Sequence, residues 1–289
     1  MGTTKFVAEV SSNHNQDLNR SMEFVSVAAE CGFDAVKFQL FEVEKLFSPE
    51  ARAANPQLVK RKGWELPPSF IAPLASHAHS LGLEFSCTPF YLEAVHLLEP
   101  FVDFFKIASY ELLWPALALE CAATKKPLVI STGMADMNEV ETAVASIVTN
   151  FPDINLTILH AVSSYPAPYG ECNLASIQTL RSRFGVSVGW SDHTVSEGVI
   201  YAAVFNQQAS MIEMHIDLDG KGYEFESQHC WLPLKAKNLI SNIRTGEVSI
   251  GSGVKAPVPA EMSDRIWRAD PSDGLRPFIS QRVELSQNQ

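Results

Sequence analysis

Two lysines, Lys37 in the run AVKFQL and Lys106 in FFKIAS, lie inside apolar segments of the sequence. An unpaired charge in an apolar core costs several kcal/mol, so each lysine requires an anion. That anion is either a substrate group or a glutamate at the end of a nearby segment, Glu9 or Glu111. Four hydroxyl residues occupy comparable positions in other segments: Thr88, Ser109, Ser131 and Ser191. Because ammonium groups and short hydroxyl donors together suit a phosphate and a carboxylate, the pattern favours a small anionic substrate.

Two histidines come at the ends of successive apolar segments, His193 after VSVGWSD and His215 within MIEMHID. Neighbouring imidazoles can bind one divalent metal, although most lone histidines are satisfied by hydrogen bonds. We expect that ordinary hydrogen-bonded role for three histidines in helical segments and one in a strand segment: His77, His79, His96 and His160. The roles of His14 and His229 stay open.

Eight short runs rich in Val, Ile and Phe alternate with amphipathic segments of helical period. They are FVAEVS, AVKFQL, LEFSCT, FFKIAS, PLVIST, LTILHAV, VSVGWSD and MIEMHID. Repeated strand–helix pairs imply a parallel sheet, either open and doubly wound or closed. Eight even units without a glycine-rich dinucleotide turn after the first strand favour a closed α/β fold, the (β/α)8 TIM barrel. The carboxyl ends of its strands meet at one mouth, so the polar residues above are expected to converge there.

Two segments interrupt this alternation. Residues 41–67 form a long connection after the second strand, which predicts a lid, an oligomer contact or a packed surface loop. The Pro- and Gly-rich tail predicts a barrel domain over residues 1–250 and an extended C-terminal arm over 251–289. Because aromatic residues and arginines concentrate in interfaces, the long connection and Trp267 suggest a homodimer.

The composition limits the class of partner. The 289 residues are 46% hydrophobic and carry a net charge of −11, which disfavours nucleic acid or an anionic membrane as a partner. The five cysteines are scattered without a C-x-x-C pair, as expected for reduced thiols and not for a disulfide scaffold or zinc knuckle. No leader or long apolar run is apparent, so a cytoplasmic location is expected.

The order of the motifs resembles the sialic acid synthase (N-acetylneuraminate synthase) family. The motifs are AEVSSNHNQ, DAVKFQ, CTPF, FKIAS, STGM, SSYPAP, GWSDHT and EMH, and they cover nearly all eight strands. The resemblance implies a barrel that condenses phosphoenolpyruvate with an N-acylated sugar aldehyde, uses Mn²⁺ or Mg²⁺, and releases phosphate. It places Glu9, Glu111 and Tyr165 near the sugar and gives His193 and His215 to the metal. It assigns seven residues to phosphoenolpyruvate: Lys37, Thr88, Lys106, Ser109, Ser131, Asn173 and Ser191.

The chain departs from the family pattern at three places. Ser11 and Gln16 replace glycines in the first loop, and Gln228 stands where the family has an aspartate that is expected near the substrate. The family also continues into an antifreeze-like C-terminal domain, whose arginine reaches the partner subunit's site. We expect Arg268 or Arg276 of the tail to replace that arginine.

The proposed reaction needs a group that moves a proton of water, for which Glu9 and Glu111 are the candidates. A carboxylate beside a cation usually has a lowered pKa, so a general base is expected. A related synthase could instead use a sugar phosphate, bound by basic residues of the long connection, although a solvated charge run explains them as well: Arg52, Lys60, Arg61 and Lys62. A further alternative is a barrel that serves as a non-catalytic binding subunit.

Overall fold

The computed structural model describes residues 3–287 as a barrel of parallel strands followed by a smaller C-terminal unit. The strands are β1 Lys5–Glu9, β2 Ala35–Leu40, β3 Glu84–Pro89, β4 Phe105–Ile107, β5 Leu128–Ser131, β6 Leu156–Ala161, β7 Ser187–Asp192 and β8 Met211–His215. Each pairs with its neighbours in the order β3-β2-β1-β8-β7-β6-β5-β4. A parallel bridge between Ser86 and Phe104 joins β3 to the start of β4. The predicted (β/α)8 barrel is confirmed.

Helices connect the strands, with short helical turns in several loops. They are α1 Leu18–Cys31, α2 Val43–Leu46, α3 Pro49–Ala54, α4 Ile71–Ser80, α5 Leu92–Leu98, α6 Pro115–Ala123, α7 Met137–Asn150, α8 Ser176–Phe184, α9 Glu197–Tyr201, α10 Pro233–Ser249, α11 Met262–Arg265 and α12 Ile279–Gln287. Helix α1 shows how local sequence sets the bounds: the Asp17 side chain accepts hydrogen bonds from two backbone N–H groups of the first turn. Gly32, with φ of 84°, ends the same helix in the left-handed conformation.

The barrel interior has an apolar layer at the N-terminal ends of the strands. Six side chains form this layer, separate from the larger core between strands and helices: Val7, Ala35, Phe104, Val129, Leu159 and Met211. Side chains alternate along a strand, so the residue two positions further also points inward. Those residues include Glu9, Lys37, Lys106, Ser131 and Glu213, all of them buried. The alternation therefore places a polar layer directly above the apolar one, toward the mouth.

The C-terminal unit begins at Val248 and contains a short helical turn at Pro259–Glu261 together with α11 and α12. The tail predicted as extended thus contains short helices. Within it, Arg282 pairs with Asp273, and the Arg268 guanidinium lies 5.7 Å from the Phe278 ring centroid. Arg276 is exposed and precedes a cis proline. The substrate contacts predicted for Arg268 and Arg276 stay predictions.

Across residues 3–287, no helix combines the length and the apolar character needed to cross a lipid bilayer.

Candidate active site

Two buried lysines and two buried glutamates form the polar layer of the barrel interior. Lys37 on β2 pairs with Glu9, its register neighbour on β1. The Lys37 ammonium also lies 3.7 Å from one carboxylate oxygen of Glu213, and the Lys106 ammonium lies 3.5 Å from the other. The sequence reasoning offered Glu9 or Glu111 as partners; Glu9 is one partner, and Glu213 of β8 is the other. Glu213 thus bridges the two lysines, a role that the sequence analysis did not assign.

Two of the four hydroxyl residues predicted at the strand ends, Thr88 and Ser191, contact these charges. Lys37 donates a hydrogen bond of 3.2 Å to Thr88, and Ser191 donates one of 3.1 Å to Glu213. Ser131 is buried two residues after Val129, and its hydroxyl has no hydrogen-bond partner among the described residues. The Ser109 hydroxyl accepts a 3.0 Å hydrogen bond from the Gly133 N–H. Lysines and hydroxyls therefore meet at one end of the barrel.

The charges of this layer stabilise one another. Burial lowers the pKa of Lys37, but Glu213 and Glu9 more than offset it and leave that pKa raised. Burial also lowers the pKa of Lys106, and here Glu213 offsets it only in part. Burial raises the pKa of Glu213, but the two lysines outweigh burial and bring the value to about 2. Glu213 is therefore an anion at neutral pH, held between two cations.

Glu111 lies in the helical turn Ser109–Glu111 that follows β4. Burial raises its pKa to about 7, and the nearby Lys106 reduces that rise only in part. Its Oε2 is buried without a hydrogen-bond partner among the residues described. The expectation of a lowered pKa beside a cation is wrong for Glu111, because burial exceeds the attraction of the lysine. Near neutral pH this carboxyl group can both hold and release a proton.

The two predicted metal ligands lie together at the barrel mouth, with the ring centroids of His193 and His215 5.3 Å apart. His193 Nδ1 is 2.7 Å from the Val162 carbonyl oxygen, and His215 Nδ1 is 3.2 Å from Glu224. Metal-binding histidines characteristically donate one ring N–H to such an oxygen and leave the other nitrogen for the ion. Among the described residues, the ligand atoms of His215, Glu224 and His229 lie within 4.8 Å of one another, and the His193 ring lies beside this group, so the residues at the mouth fit a divalent metal.

Metal binding needs neutral imidazole, and the two histidines differ in how readily they are neutral. Burial, then the charge of His215, lowers the pKa of His193 to about 3. Burial lowers the pKa of His215, but the hydrogen bond and charge of Glu224, together with the charges of Glu9 and Glu213, more than offset burial and leave that pKa raised. The Glu224 carboxylate is accordingly stabilised as an anion, with its pKa held well below the ordinary range against the effect of burial.

Sequence reasoning missed two residues of this cluster, both on the loop after β8. His229, whose role was left open, is buried with its ring centroid 4.7 Å from that of His215. Glu224 lies between the two imidazoles, 3.2 Å from His215 Nδ1 and 3.6 Å from His229 Nε2. The loop has no periodic pattern that would reveal this, and tertiary contacts hold it against the barrel, among them the bridge between Ile216 and Trp231.

Three other predicted site residues occupy different settings. The Tyr165 ring lies against His193, with centroids 4.2 Å apart, so it joins the imidazole cluster. Asn173 is exposed and donates its side-chain amide to Ser176. Gln228 is exposed in a left-handed backbone conformation, with φ of 58°. The substrate contacts of Asn173 and Gln228 stay predictions.

The remaining histidines are held by ordinary contacts. The four expected to have structural roles each have a partner: His77 with Ser26, His79 with Asp103, His96 with Glu120 and His160 with the Cys172 carbonyl. His14, left open, is buried, and its Nδ1 accepts a 2.9 Å hydrogen bond from the Gln16 N–H. Burial lowers the pKa of His14 to about 4, so it is neutral near pH 7.

A parallel barrel with buried acid–base pairs and imidazoles at its mouth has the architecture of a TIM-barrel enzyme. The chain belongs to the NeuB family, whose sequence model matches residues 24–255. It is an enzyme of the sialic acid synthase type, and synthases of this type form carbon–carbon bonds.

The chain is similar to individual relatives over most of its length. The chain is 35% identical to the N,N'-diacetyllegionaminic acid synthase of Legionella pneumophila, covering 91% of this chain and 78% of that protein. It is 36% identical to an uncharacterized protein of Methanocaldococcus jannaschii, covering 89% and 75%. Among solved structures, the N-acetylneuraminic acid synthetase of Leptospira borgpetersenii superposes with a TM-score of 0.81 at 27% identity, covering 91% of this chain and 90% of that one.

Proposed function

We propose that the protein condenses phosphoenolpyruvate with an N-acylated sugar aldehyde and gives a sialic-acid-like nonulosonate and phosphate. The observation that carries this proposal is the pair of buried lysines, whose ammonium groups share Glu213. Lys37 and Lys106 with Glu9 and Glu213 form a buried cluster in which the formal charges cancel. An anion that enters must therefore displace carboxylates from lysines or bring a further cation with it. A substrate that carries a phosphate and a carboxylate can displace the carboxylates, and a divalent metal beside it supplies the further cation.

In the proposed reaction, C3 of phosphoenolpyruvate forms a bond to the aldehyde carbon of the sugar. Water adds at C2, and the C2–O bond to phosphate then breaks. Lys37 and Lys106 stabilise the negative charge that grows on the departing phosphate, since buried donors act most strongly on charge that develops in the transition state. Thr88 and Ser131 are proposed to orient the same substrate.

His193 and His215 would hold the divalent metal, Mn²⁺ or Mg²⁺. When bound, such an ion supplies Lewis acidity toward the sugar carbonyl oxygen. Tyr165, against His193, is proposed to close the sugar side of the pocket.

A carboxyl group must move the proton of the attacking water. Glu9 is committed to Lys37 and also accepts a 2.8 Å hydrogen bond from Gln39. Glu111 has a pKa of about 7 and a buried oxygen without a hydrogen-bond partner among the residues described. We therefore favour Glu111 as the group that takes and returns the proton, because catalytic efficiency is greatest when the pKa lies near the working pH.

The two alternatives are less well supported. Of the basic residues that would bind a sugar phosphate, Lys62 pairs with Glu44, and Arg61 lies over the rings of Phe47 and Trp64. These contacts suit a paired surface charge run. A non-catalytic subunit would have no use for the buried lysines, which cost free energy to desolvate.

Phosphate release and product formation test the proposal. The protein with Mn²⁺ is incubated with phosphoenolpyruvate and either a free or a 6-phosphorylated N-acylated mannosamine, and the product is analysed by mass spectrometry. We expect phosphate release and a nine-carbon acid with the free sugar. Turnover only with the phosphorylated sugar would support the first alternative. No turnover with any of several N-acylated free sugars, together with retained Mn²⁺ binding, would contradict the proposed function.

A further inference from the structure

We propose that Asp192 is a positioning residue of the active site. Its buried carboxylate holds the loops after β7 and β8 together and thereby fixes the side chains of His193 and His215. Asp192 acts through these neighbours and does not touch a substrate. The inference rests on the proposed function and deepens it, because both histidines are proposed to act on the sugar side of the pocket.

The carboxylate of Asp192 lies at the end of β7 and is completely buried. It accepts five hydrogen bonds, and every donor is uncharged. Oδ1 accepts from Trp190 Nε1 at 3.1 Å, from the Thr194 N–H at 3.1 Å and from Thr194 Oγ1 at 2.6 Å, and Oδ2 accepts from the Val195 N–H at 3.1 Å and from Trp231 Nε1 at 3.0 Å. A buried carboxylate is costly unless its oxygens are satisfied. The segments that supply these donors are therefore held to the end of β7.

The first of these segments is the turn that follows His193. Val195 has a φ of 52°, a left-handed conformation that is unfavourable for a β-branched residue. Such a conformation persists only where surrounding contacts hold it, and the hydrogen bonds from this turn to Asp192 are such contacts. The His193 carbonyl, at the start of the same turn, accepts a 2.9 Å hydrogen bond from the Ala167 N–H. The turn thus also anchors the loop after β6, which carries Tyr165.

The second segment is the loop after β8, which Trp231 closes. The Trp231 indole donates to Asp192, and its backbone N–H donates a 2.7 Å hydrogen bond to the His215 carbonyl. The Trp231 carbonyl oxygen accepts a 3.0 Å hydrogen bond from the Asp217 N–H. One residue therefore connects the end of β8 with the carboxylate of β7. Residues 218–230 thus form a loop whose two ends meet at this contact.

These contacts predict a selective effect on the reaction. Loss of the hydrogen bond between Trp231 and Asp192 frees the loop after β8 from the end of β7, so the imidazoles of the two strands are no longer held at one separation. Misplacement of a reacting group by about 1 Å can cost about 10²-fold in rate. Lys37 and Lys106 lie on β2 and β4 and pair with buried glutamates instead. Use of the sugar should therefore be affected more than binding of phosphoenolpyruvate.

The test compares Trp231→Phe with the matched control Trp190→Phe. Both changes remove an indole N–H that donates to the same carboxylate from a buried ring, but the Trp190 indole comes from β7 itself and ties down no second loop. We expect Trp231→Phe to lower kcat/KM for the N-acylated sugar about 10-fold and to leave KM for phosphoenolpyruvate within about twofold of the wild type. Trp190→Phe should leave both within about twofold, although the melting temperature should fall in both variants. Asp192→Asn should lower kcat/KM for the sugar about 10²-fold, because an amide nitrogen cannot accept a hydrogen bond.

Hydrogen exchange of the substrate-free protein, followed by mass spectrometry, gives a measurement that is independent of turnover. The backbone N–H groups of residues 218–230 should exchange about 10-fold faster in Trp231→Phe and Asp192→Asn, and at the wild-type rate in Trp190→Phe. If Trp231→Phe does not fold, Asp192→Asn is compared with Trp190→Phe in the same two measurements.

Unchanged exchange in the folded Trp231→Phe and Asp192→Asn variants would overturn the inference. Equal losses of kcat/KM for the sugar in the two tryptophan variants would also overturn it, because the tryptophans would then serve only the stability of the fold. Faster exchange in a protein that turns over no sugar would refute only the proposed function. Turnover together with unchanged exchange would refute only this inference.

Discussion

The two ends of the barrel are formed by the same strands. They differ in the side chains that face the barrel interior. At the N-terminal end, inward residues such as Phe104 and Met211 form an apolar layer. Two positions further along the chain, the inward residues are Lys106 and Glu213, which are almost completely buried. Two residues further along a strand, an inward apolar side chain is thus followed by an inward charged one.

The N-terminal end also carries polar residues, but they differ in their exposure. A cavity of about 450 Å³ opens there, with Lys5 and Glu84 in its lining. These two side chains pair with each other and remain 26% and 48% exposed, whereas those of Lys37 and Glu9 are 3% and 1% exposed. Exposed pairs cost little to form and contribute little, while buried pairs must be stabilised by their surroundings. Burial of charge, and not its presence, therefore distinguishes the mouth as the candidate site.

The largest expected change in activity comes from a comparison of Lys106 on β4 with Phe104 just before it. Replacement of the Lys106 ammonium in Lys106→Gln should lower kcat/KM for phosphate release by about 10³-fold, because a buried donor to the departing phosphate is lost. The variant Phe104→Leu, in the apolar layer, should retain kcat/KM within about threefold of the wild type, since it changes packing away from the substrate. Steady-state phosphate assays on protein shown to be folded by circular dichroism measure both. Similar losses in the two variants would remove the functional distinction between the ends.

A second prediction concerns a cavity in the apolar layer, which should affect stability and not activity. Leu159→Ala removes a fully buried side chain of β6 and should lower the free energy of unfolding by about 2–5 kcal/mol. Phosphate release per folded molecule should be unchanged below the melting transition. Denaturant unfolding and activity on the same sample measure the two quantities. A large loss of activity in the folded state would show that the layers are coupled.

Much of this organisation was predictable from the sequence. The alternating segments place Lys37 and Lys106 on strands. The eight strand–helix units predict a closed barrel, in which the carboxyl ends of the strands lie at one mouth. The role of Glu213 was within reach, because it lies two residues before His215 on β8 and so must face the same side.

Other features depend on tertiary contacts that no local pattern encodes. Glu224 and His229 lie on an irregular loop, and Asn13, more than 200 residues earlier in the chain, fixes its position through the Glu224 backbone. The pKa of Glu111 was misjudged because the sequence shows a neighbouring lysine but does not show how much water burial removes. Position along a strand was therefore predictable, whereas desolvation and loop closure were not.

The smallest expected effect is a pH dependence of the free energy of unfolding, which reports how far burial raises the pKa of Glu111. Its pKa is raised from the ordinary value of 4.5 to about 7, so between these pH values the folded protein keeps a proton that the unfolded chain releases. The free energy of unfolding of the wild type should therefore fall, relative to Glu111→Gln, as pH rises from about 4.5 to about 7. The change should be about 2–3 kcal/mol after allowance for partial exposure.

Urea unfolding of both proteins at pH 5 and pH 8 measures this difference. Glu84→Gln, at the exposed end of the barrel, is the control and should show no comparable pH dependence relative to the wild type. A constant difference between the wild type and Glu111→Gln would mean that Glu111 ionises like an exposed carboxyl group. Glu9 would then become the stronger candidate for the proton transfer, because Glu111 would lack the near-neutral pKa that favours it.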